Sequence, residues 1–242
     1  MKHLISAFQF LTILPFGKPR VLDAPKTIPY FPIVGLVIGL ILVFGDHVFS
    51  RLWPATVVSI LDVLLLAILS GALHLDGLGD TADGLFSHRS REQALDIMRD
   101  SRIGVMGLVA IVFILAIKWV SLHSLVKHRD LYLLIIPAYS RGAMMLGIKF
   151  LRYGRPEGGM GTDFFSRKPP MVVLSSIFLP IFFSYWLGWT ALWFNGLFVV
   201  ITALILLYFK RRMDCITGDM LGAMAEVEET FLFLAASVGV NQ

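Results

Sequence analysis

Residues Met171–Phe209 read MVVLSSIFLPIFFSYWLGWTALWFNGLFVVITALILLYF, with no Asp, Glu, Lys, Arg or His among them. These 39 residues would make roughly 58 Å of helix at about 1.5 Å per residue. That is about twice the roughly 30 Å hydrocarbon core of a bilayer. The stretch therefore reads as two consecutive membrane spans with a break near Gly188-Trp189-Thr190.

Working outward, Ile28–Gly45 forms a further candidate span without charge, and Ala55–Leu73 one with a single acid, Asp62. Ile103–Leu122 carries Lys118 near one end, where its stem can snorkel. Leu131–Ile148 is interrupted by Arg141. These make six spans, and the amphipathic, initially acidic Asp219–Val240 is a weaker seventh. Leu4–Phe16 is apolar but short. With only Lys2 ahead of it and no small-residue cleavage pattern before Pro15, it reads as a retained interfacial or re-entrant helix.

Composition agrees. Of 242 residues 57% are hydrophobic and 16% charged, against roughly 25% charged in soluble domains. A disordered chain is excluded and an ordinary soluble globule disfavoured. The balance of 21 Lys+Arg against 17 Asp+Glu, +4, could suit nucleic acid in a soluble protein. In so apolar a chain these residues are topology signals, and no nucleic-acid partner is expected. One cysteine, Cys215, rules out an internal disulfide framework or a multi-thiolate metal site. The expectation is an all-α, polytopic integral membrane bundle of about six to seven spans plus the short N-terminal helix. It forms one domain, 1–242, embedded in the lipid bilayer.

Counting alternate loops puts fifteen Lys and Arg on one side, Lys18, Arg20, Arg167 and Lys168 among them. The other side has three: Arg51, Lys127 and Arg129. The positive-inside rule turns the first side to the cytoplasm. Nearly all the acids, Glu157 included, lie on that side, so any chemistry is expected at the cytoplasmic face of the inner membrane.

The sharpest constellation there is His74-Leu-Asp76-Gly-Leu-Gly-Asp80-Thr-Ala-Asp83-Gly84. Spacings of four and three put Asp76, Asp80 and Asp83 on one helical face. Carboxylates so close repel one another, and a hard divalent cation, Mg²⁺ or Mn²⁺, removes that cost. His74 lies about 200° from Asp76 on an ideal helix, and reads equally as a structural hydrogen-bonder or a catalytic group. Ser90 and Gln93 form a capping box. The helix they open carries Asp96 and Asp100 on one face, Arg99 and Arg102 on another, which suits metal plus phosphate binding.

Tyr153-Gly154-Arg155-Pro156-Glu157-Gly158-Gly159-Met160-Gly161 could cradle a phosphate through backbone N–H groups. Asp219 and Glu226 share a face across Gly222 and Ala223, a strip small enough for another helix or a ligand to approach. Arg141, mid-span, requires an anionic partner. It is expected to face the interior below the aspartate block and to reach substrate phosphates or one of those acids. A structural pair with an acid such as Asp62 is the alternative.

The residues thus point to a membrane enzyme using a divalent cation and arginines on a phosphorylated substrate. A CDP-alcohol phosphotransferase is one alternative, although Ser87-His88 stands where that signature has Ala-Arg. A transporter is another, although its acids would sit at mid-span rather than at one face.

The fuller pattern is His74-Leu-Asp76-Gly-Leu-x-Asp80-Thr-Ala-Asp83-Gly84 followed by Ile97-Met98-x-Asp100-Ser101-Arg102-Ile103-Gly104-x-x-Gly107. With Phe8-Gln9-Phe10-Leu11-Thr12, Tyr30-Phe31-Pro32, Ser140-Arg141 and Thr217-Gly218-Asp219-x-x-Gly222-Ala223-x-x-Glu226-x-x-Glu229, it closely resembles the cobalamin synthase (adenosylcobinamide-GDP ribazoletransferase) family. The resemblance runs over essentially the whole chain. Cys215 departs from an expected glycine, and Gly158–Gly161 is a loose version of the family's loop.

The resemblance implies the late nucleotide-loop step of coenzyme B12 synthesis: adenosylcobinamide-GDP and α-ribazole, or its 5′-phosphate, give adenosylcobalamin, or its 5′-phosphate, and GMP. It implies Mg²⁺ and places metal and catalytic roles on Asp76, Asp80, Asp83 and Asp100. His74, Arg102, Arg141, Arg155, Asp219 and Glu226 are the expected substrate-binding residues. Homo-oligomerisation is left open.

Overall fold

The computed structural model describes residues 2–17, 23–155, 158, 161–166 and 169–238. Of the residues named above, Lys18, Arg20, Pro156, Glu157, Gly159, Met160, Arg167, Lys168 and Val240 lie outside them.

Among the described residues the fold is helical without a named strand; one isolated parallel bridge joins Tyr153 to Ile216. The helices are α1 (Lys2–Leu11), α2 (Ala24–Thr27), α3 (Phe31–Phe49), α4 (Ala55–Leu69), α5 (Leu73–Leu85) and α6 (Arg91–Ile97). They continue as α7 (Val105–Ser124), α8 (Arg129–Phe150), α9 (Phe178–Ser184), α10 (Thr190–Arg212) and α11 (Gly218–Ala236).

All six apolar segments are helical. The run from Ala24 through α3, and α7, α8 and α10, are each long and apolar enough to cross a bilayer; α4 and α5 add a fifth span if taken as one bent unit. The outward faces of α7 and α10 expose Val105, Phe113, Val199 and Leu204. In water such surfaces would be costly, and against hydrocarbon they are at home. Met171–Leu187 is a shorter apolar stretch of 3₁₀ and α turns, and Gly188 at φ +64° supplies the break expected there. The weaker seventh segment is α11. It is packed inside the bundle, with Glu226, Glu228 and Glu229 buried.

One expected boundary is corrected. The span read as Ala55–Leu73 stops at Leu69, and the chain turns by 87° into α5. Gly71 (φ +60°) and Ala72 (φ +56°) adopt left-handed conformations that end the first helix. The aspartate block therefore occupies its own helix, set across the axis of α4.

Two close crossings set the core. Gly35 and Gly39 of α3 lie against the backbone of α8 at Ala138 and Leu134. Gly77 of α5 lies against Asp219 of α11, and Gly222 of α11 against His74 of α5. The small strip on α11 thus admits a helix. A Cβ on Gly77 would stand 2.7 Å from the Asp219 carbonyl oxygen, a contact that only separating the helices relieves. Gly77→Ala is expected to cost about 1–3 kcal/mol, as overpacking does, and to lower turnover by moving Asp219. Thermal unfolding in detergent, read beside activity, checks this. Unchanged values for both would show that the crossing tolerates a methyl group.

Candidate active site

The site grows from the α5–α11 crossing. Thr217 caps α11 by accepting the Met220 N–H at 3.2 Å, which places Asp219 in the first turn beside α5. Asp219 Oδ2 accepts from Arg155 Nη2 at 2.6 Å. Arg155 also donates to the Met98 carbonyl at 3.1 Å, tying the loop after α8 to the end of α6. Asp80 is half-buried and lies within the fields of Asp76, Asp219 and Arg155. Asp76 is exposed. Among the described residues neither Asp76 nor Asp80 accepts a hydrogen bond. The structure thus brings Asp76, Asp80, Asp219 and Arg155 to one rim.

Asp83 and Asp100 take other partners. Asp83 turns to the start of α7, where its two oxygens accept the Gly104 N–H at 2.7 Å and the Gly107 N–H at 2.8 Å. It caps α7 from another helix and satisfies donors that otherwise have no partner. Asp100 is bound by Arg102, through Nε at 3.0 Å and Nη2 at 2.5 Å, and by the Arg102 backbone N–H at 3.1 Å. The Arg102 side chain beside it holds the Asp100 carboxyl down at about 2. Two groups expected to face metal and phosphate are here paired with each other at the surface. The capping contact expected of Ser90 is present, its Oγ accepting the Gln93 N–H at 3.4 Å.

Arg141 and Glu226 lie in the bundle interior. Lys118 Nζ donates to Glu226 Oε2 and to Glu229 Oε1, each at 2.6 Å. Arg141 Nη1 donates to Glu229 Oε2 at 2.5 Å and to Ser140 Oγ at 2.7 Å. All four charges are almost fully buried. This corrects three expectations. Arg141 finds its anion in Glu229, not in the aspartate block, because α11 presents that acid inside the bundle. Glu226 is engaged by Lys118. Lys118 is 2% exposed and does not snorkel. Asp62 is bound by Arg129 Nη2 at 2.8 Å, and Arg129 also reaches Asp46 at 2.7 Å. Lys118 and Glu229 were absent from the expected site. The available signal was a lysine in an apolar span facing two acids three residues apart.

The residues at the rim suit a divalent cation. Among the described residues, Asp76 and Asp80 offer oxygens without hydrogen-bond partners one helical turn apart, and Asp219 is bound by Arg155 through Oδ2. Among the described residues, the one triple of metal-type ligand atoms drawn within 4.8 Å is Asp46, His47 and Asp130, toward the opposite ends of α3 and α8. The aspartate rim is more open than that. Where Mg²⁺ binds such sites, one or two carboxylates and substrate phosphates commonly share the ion.

Fold and site define a polytopic helical membrane protein with a carboxylate–guanidinium rim at one end of its bundle. The family model for cobalamin-5-phosphate synthase matches residues 3–237, and the chain belongs to that family. It is 35% identical to an adenosylcobinamide-GDP ribazoletransferase of Clostridium novyi, over 97% of this chain and 96% of the relative. A protein of that name in Alkaliphilus metalliredigens is 33% identical over 99% and 98%. One in Syntrophobacter fumaroxidans is 34% identical over 97% and 98%. No solved structure gives a significant match.

Proposed function

We propose that this chain is a transferase that joins α-ribazole, or its 5′-phosphate, to the corrinoid phosphate of adenosylcobinamide-GDP and releases GMP. The observation that carries the proposal is the rim formed by Asp76, Asp80, Asp219 and Arg155 in a chain of this family. A ribose hydroxyl oxygen bonds to the phosphorus next to the cobinamide arm as the bond from that phosphorus to the GMP oxygen breaks. The hydroxyl proton passes to a rim carboxylate, which must stand within hydrogen-bond reach of it. Arg155, held by Asp219 and the Met98 carbonyl, presents its guanidinium to phosphate oxygens. Asp76 and Asp80 would hold Mg²⁺, with Mn²⁺ as the alternative, and the ion supplies neutralisation of charge on the leaving phosphate. The test is GMP release by purified, detergent-solubilised protein from the two substrates, with and without Mg²⁺. Metal-independent release, or none, would refute the proposal.

The site is proposed to face the cytoplasm from the inner membrane, on the strength of the loop charge asymmetry. Cysteines placed at Ser87 and Ser166 are then expected to be shielded from an impermeant thiol reagent outside intact cells, and one at Ser50 to react. The reverse labelling would invert the topology.

A further inference from the structure

Two apolar rows of α10 each run into an arginine. Leu204, Tyr208 and Arg211 stand four and three residues apart, as do Ile205, Phe209 and Arg212, so each triple shares a face of the helix. The apolar members of both rows line a groove of about 1030 Å³, part of it open to the surroundings. Helices α5, α7 and α11 complete it, and among the described residues no charged side chain lines it. Phe113 of α7 and Leu204 of α10 are exposed on its lips. Both helices are long and apolar enough to span, so the groove opens toward hydrocarbon.

On α5 the groove is lined by Leu78, Ala82 and Leu85, again four and three apart. Leu78 lies about 200° round the helix from both Asp76 and Asp80. The groove therefore runs behind the helix whose front carries the rim. Phe86 and Phe209 both line it, and three residues beyond them stand Arg89 and Arg212. Arg212 Nη2 donates to the Arg89 carbonyl at 2.9 Å, which holds this arginine across the gap between the ends of α5 and α10. Arg211 is exposed, and Asp214, the next acid along the chain, is bound by Arg152.

We infer that this groove holds an acyl chain of an anionic phospholipid, whose phosphate is bound by Arg211 and Arg212. An apolar trough that leads to cations at headgroup level is complementary to such a lipid. The guanidinium presents parallel N–H donors to phosphate oxygens. A zwitterionic lipid adds a quaternary amine, which the same arginines repel. A second copy is a poorer occupant. A symmetric pair in one membrane turns about an axis along the membrane normal, and so brings the arginines of both copies to the same depth. The bound chain packs on the back of α5 and braces the helix that carries Asp76 and Asp80.

The experiment is native mass spectrometry of the full chain released from nanodiscs of equal parts phosphatidylcholine and phosphatidylglycerol with matched acyl chains. Wild-type protein is expected to retain phosphatidylglycerol over phosphatidylcholine by tenfold or more. Arg211→Gln combined with Arg212→Gln should lose that preference. Ala110→Trp, which fills the groove from its half-buried α7 wall without changing charge, should lose the retained lipid. Added phosphatidylglycerol should raise the thermal midpoint of wild-type protein in detergent and of neither variant, since a ligand stabilises only the fold that binds it. Equal retention of the two lipids by wild-type protein would overturn the inference. So would a preference that survives Ala110→Trp, which would assign it to surface charge alone. A wild-type dimer that Ala110→Trp dissociates would give the groove to a second copy and overturn it too. Should Ala110→Trp fail to fold, the arginine pair decides: an undiminished preference there refutes the site. None of these readouts depends on the transferase reading.

Discussion

Asp80→Asn is expected to lower turnover by a hundredfold or more, about 2.7 kcal/mol of transition-state stabilisation, while leaving the protein folded. The carboxylate is half-buried within the fields of Asp76, Asp219 and Arg155 and accepts no hydrogen bond among the described residues. Its neutral isostere removes one negative charge from a crowded group and opens no cavity, so the thermal midpoint should hold or rise. GMP release at limiting and saturating Mg²⁺, read beside thermal unfolding in detergent, checks both halves. Near-normal turnover at limiting Mg²⁺ would reduce the rim to a solvated acidic surface. Asp83→Asn behaves differently. Its two oxygens each hold a backbone N–H of α7, and an amide can accept through only one of them. A loss of about 1–2 kcal/mol, typical of a broken helix cap, should accompany whatever activity falls. Comparing the two variants separates the rim aspartate from the capping one, although they lie three residues apart.

The second large effect is on stability. Lys118, Arg141, Glu226 and Glu229 carry two positive and two negative charges in a nearly dry interior. Lys118→Met leaves Glu226 and Glu229 with Arg141 alone, an uncompensated buried charge. Breaking a buried pair in this way costs about 3–5 kcal/mol, so a marked fall in the thermal midpoint is expected. Lys118→Met combined with Glu226→Gln restores neutrality and should recover part of the loss, a coupling of about 0.5–3 kcal/mol in a double-mutant cycle. A double variant no more stable than Lys118→Met would show that the four groups do not act as one network. Arg141→Lys keeps the charge but loses the forked geometry. It should lower the midpoint and leave the affinity for the corrinoid nucleotide near wild type. A tenfold loss of that affinity in folded protein would return Arg141 to the substrate site.

The sequence alone determined the class of fold and singled out the aspartate block. Uncharged runs of 18 or more residues can be buried only in a bilayer or a large core, and Met171–Phe209 and Ile28–Gly45 leave little choice in a chain of this length. The aspartate block was equally plain, because spacings of four and three define a helical face whatever the helix packs against. Local spacing cannot say which partner each charge takes. Asp83 and Asp80 share a face in the sequence, yet one caps α7 and the other faces the rim. That division follows from the 87° turn at Gly71-Ala72, which lays α5 across the start of α7. Asp219 joins Asp76 and Asp80 from 139 residues beyond Asp80 because Gly77 and Gly222 let α5 and α11 approach backbone to backbone. Arg141 pairs with Glu229 for a similar reason. A buried cation takes the anion that packing puts at its own depth, and only the tertiary structure decides which acid that is.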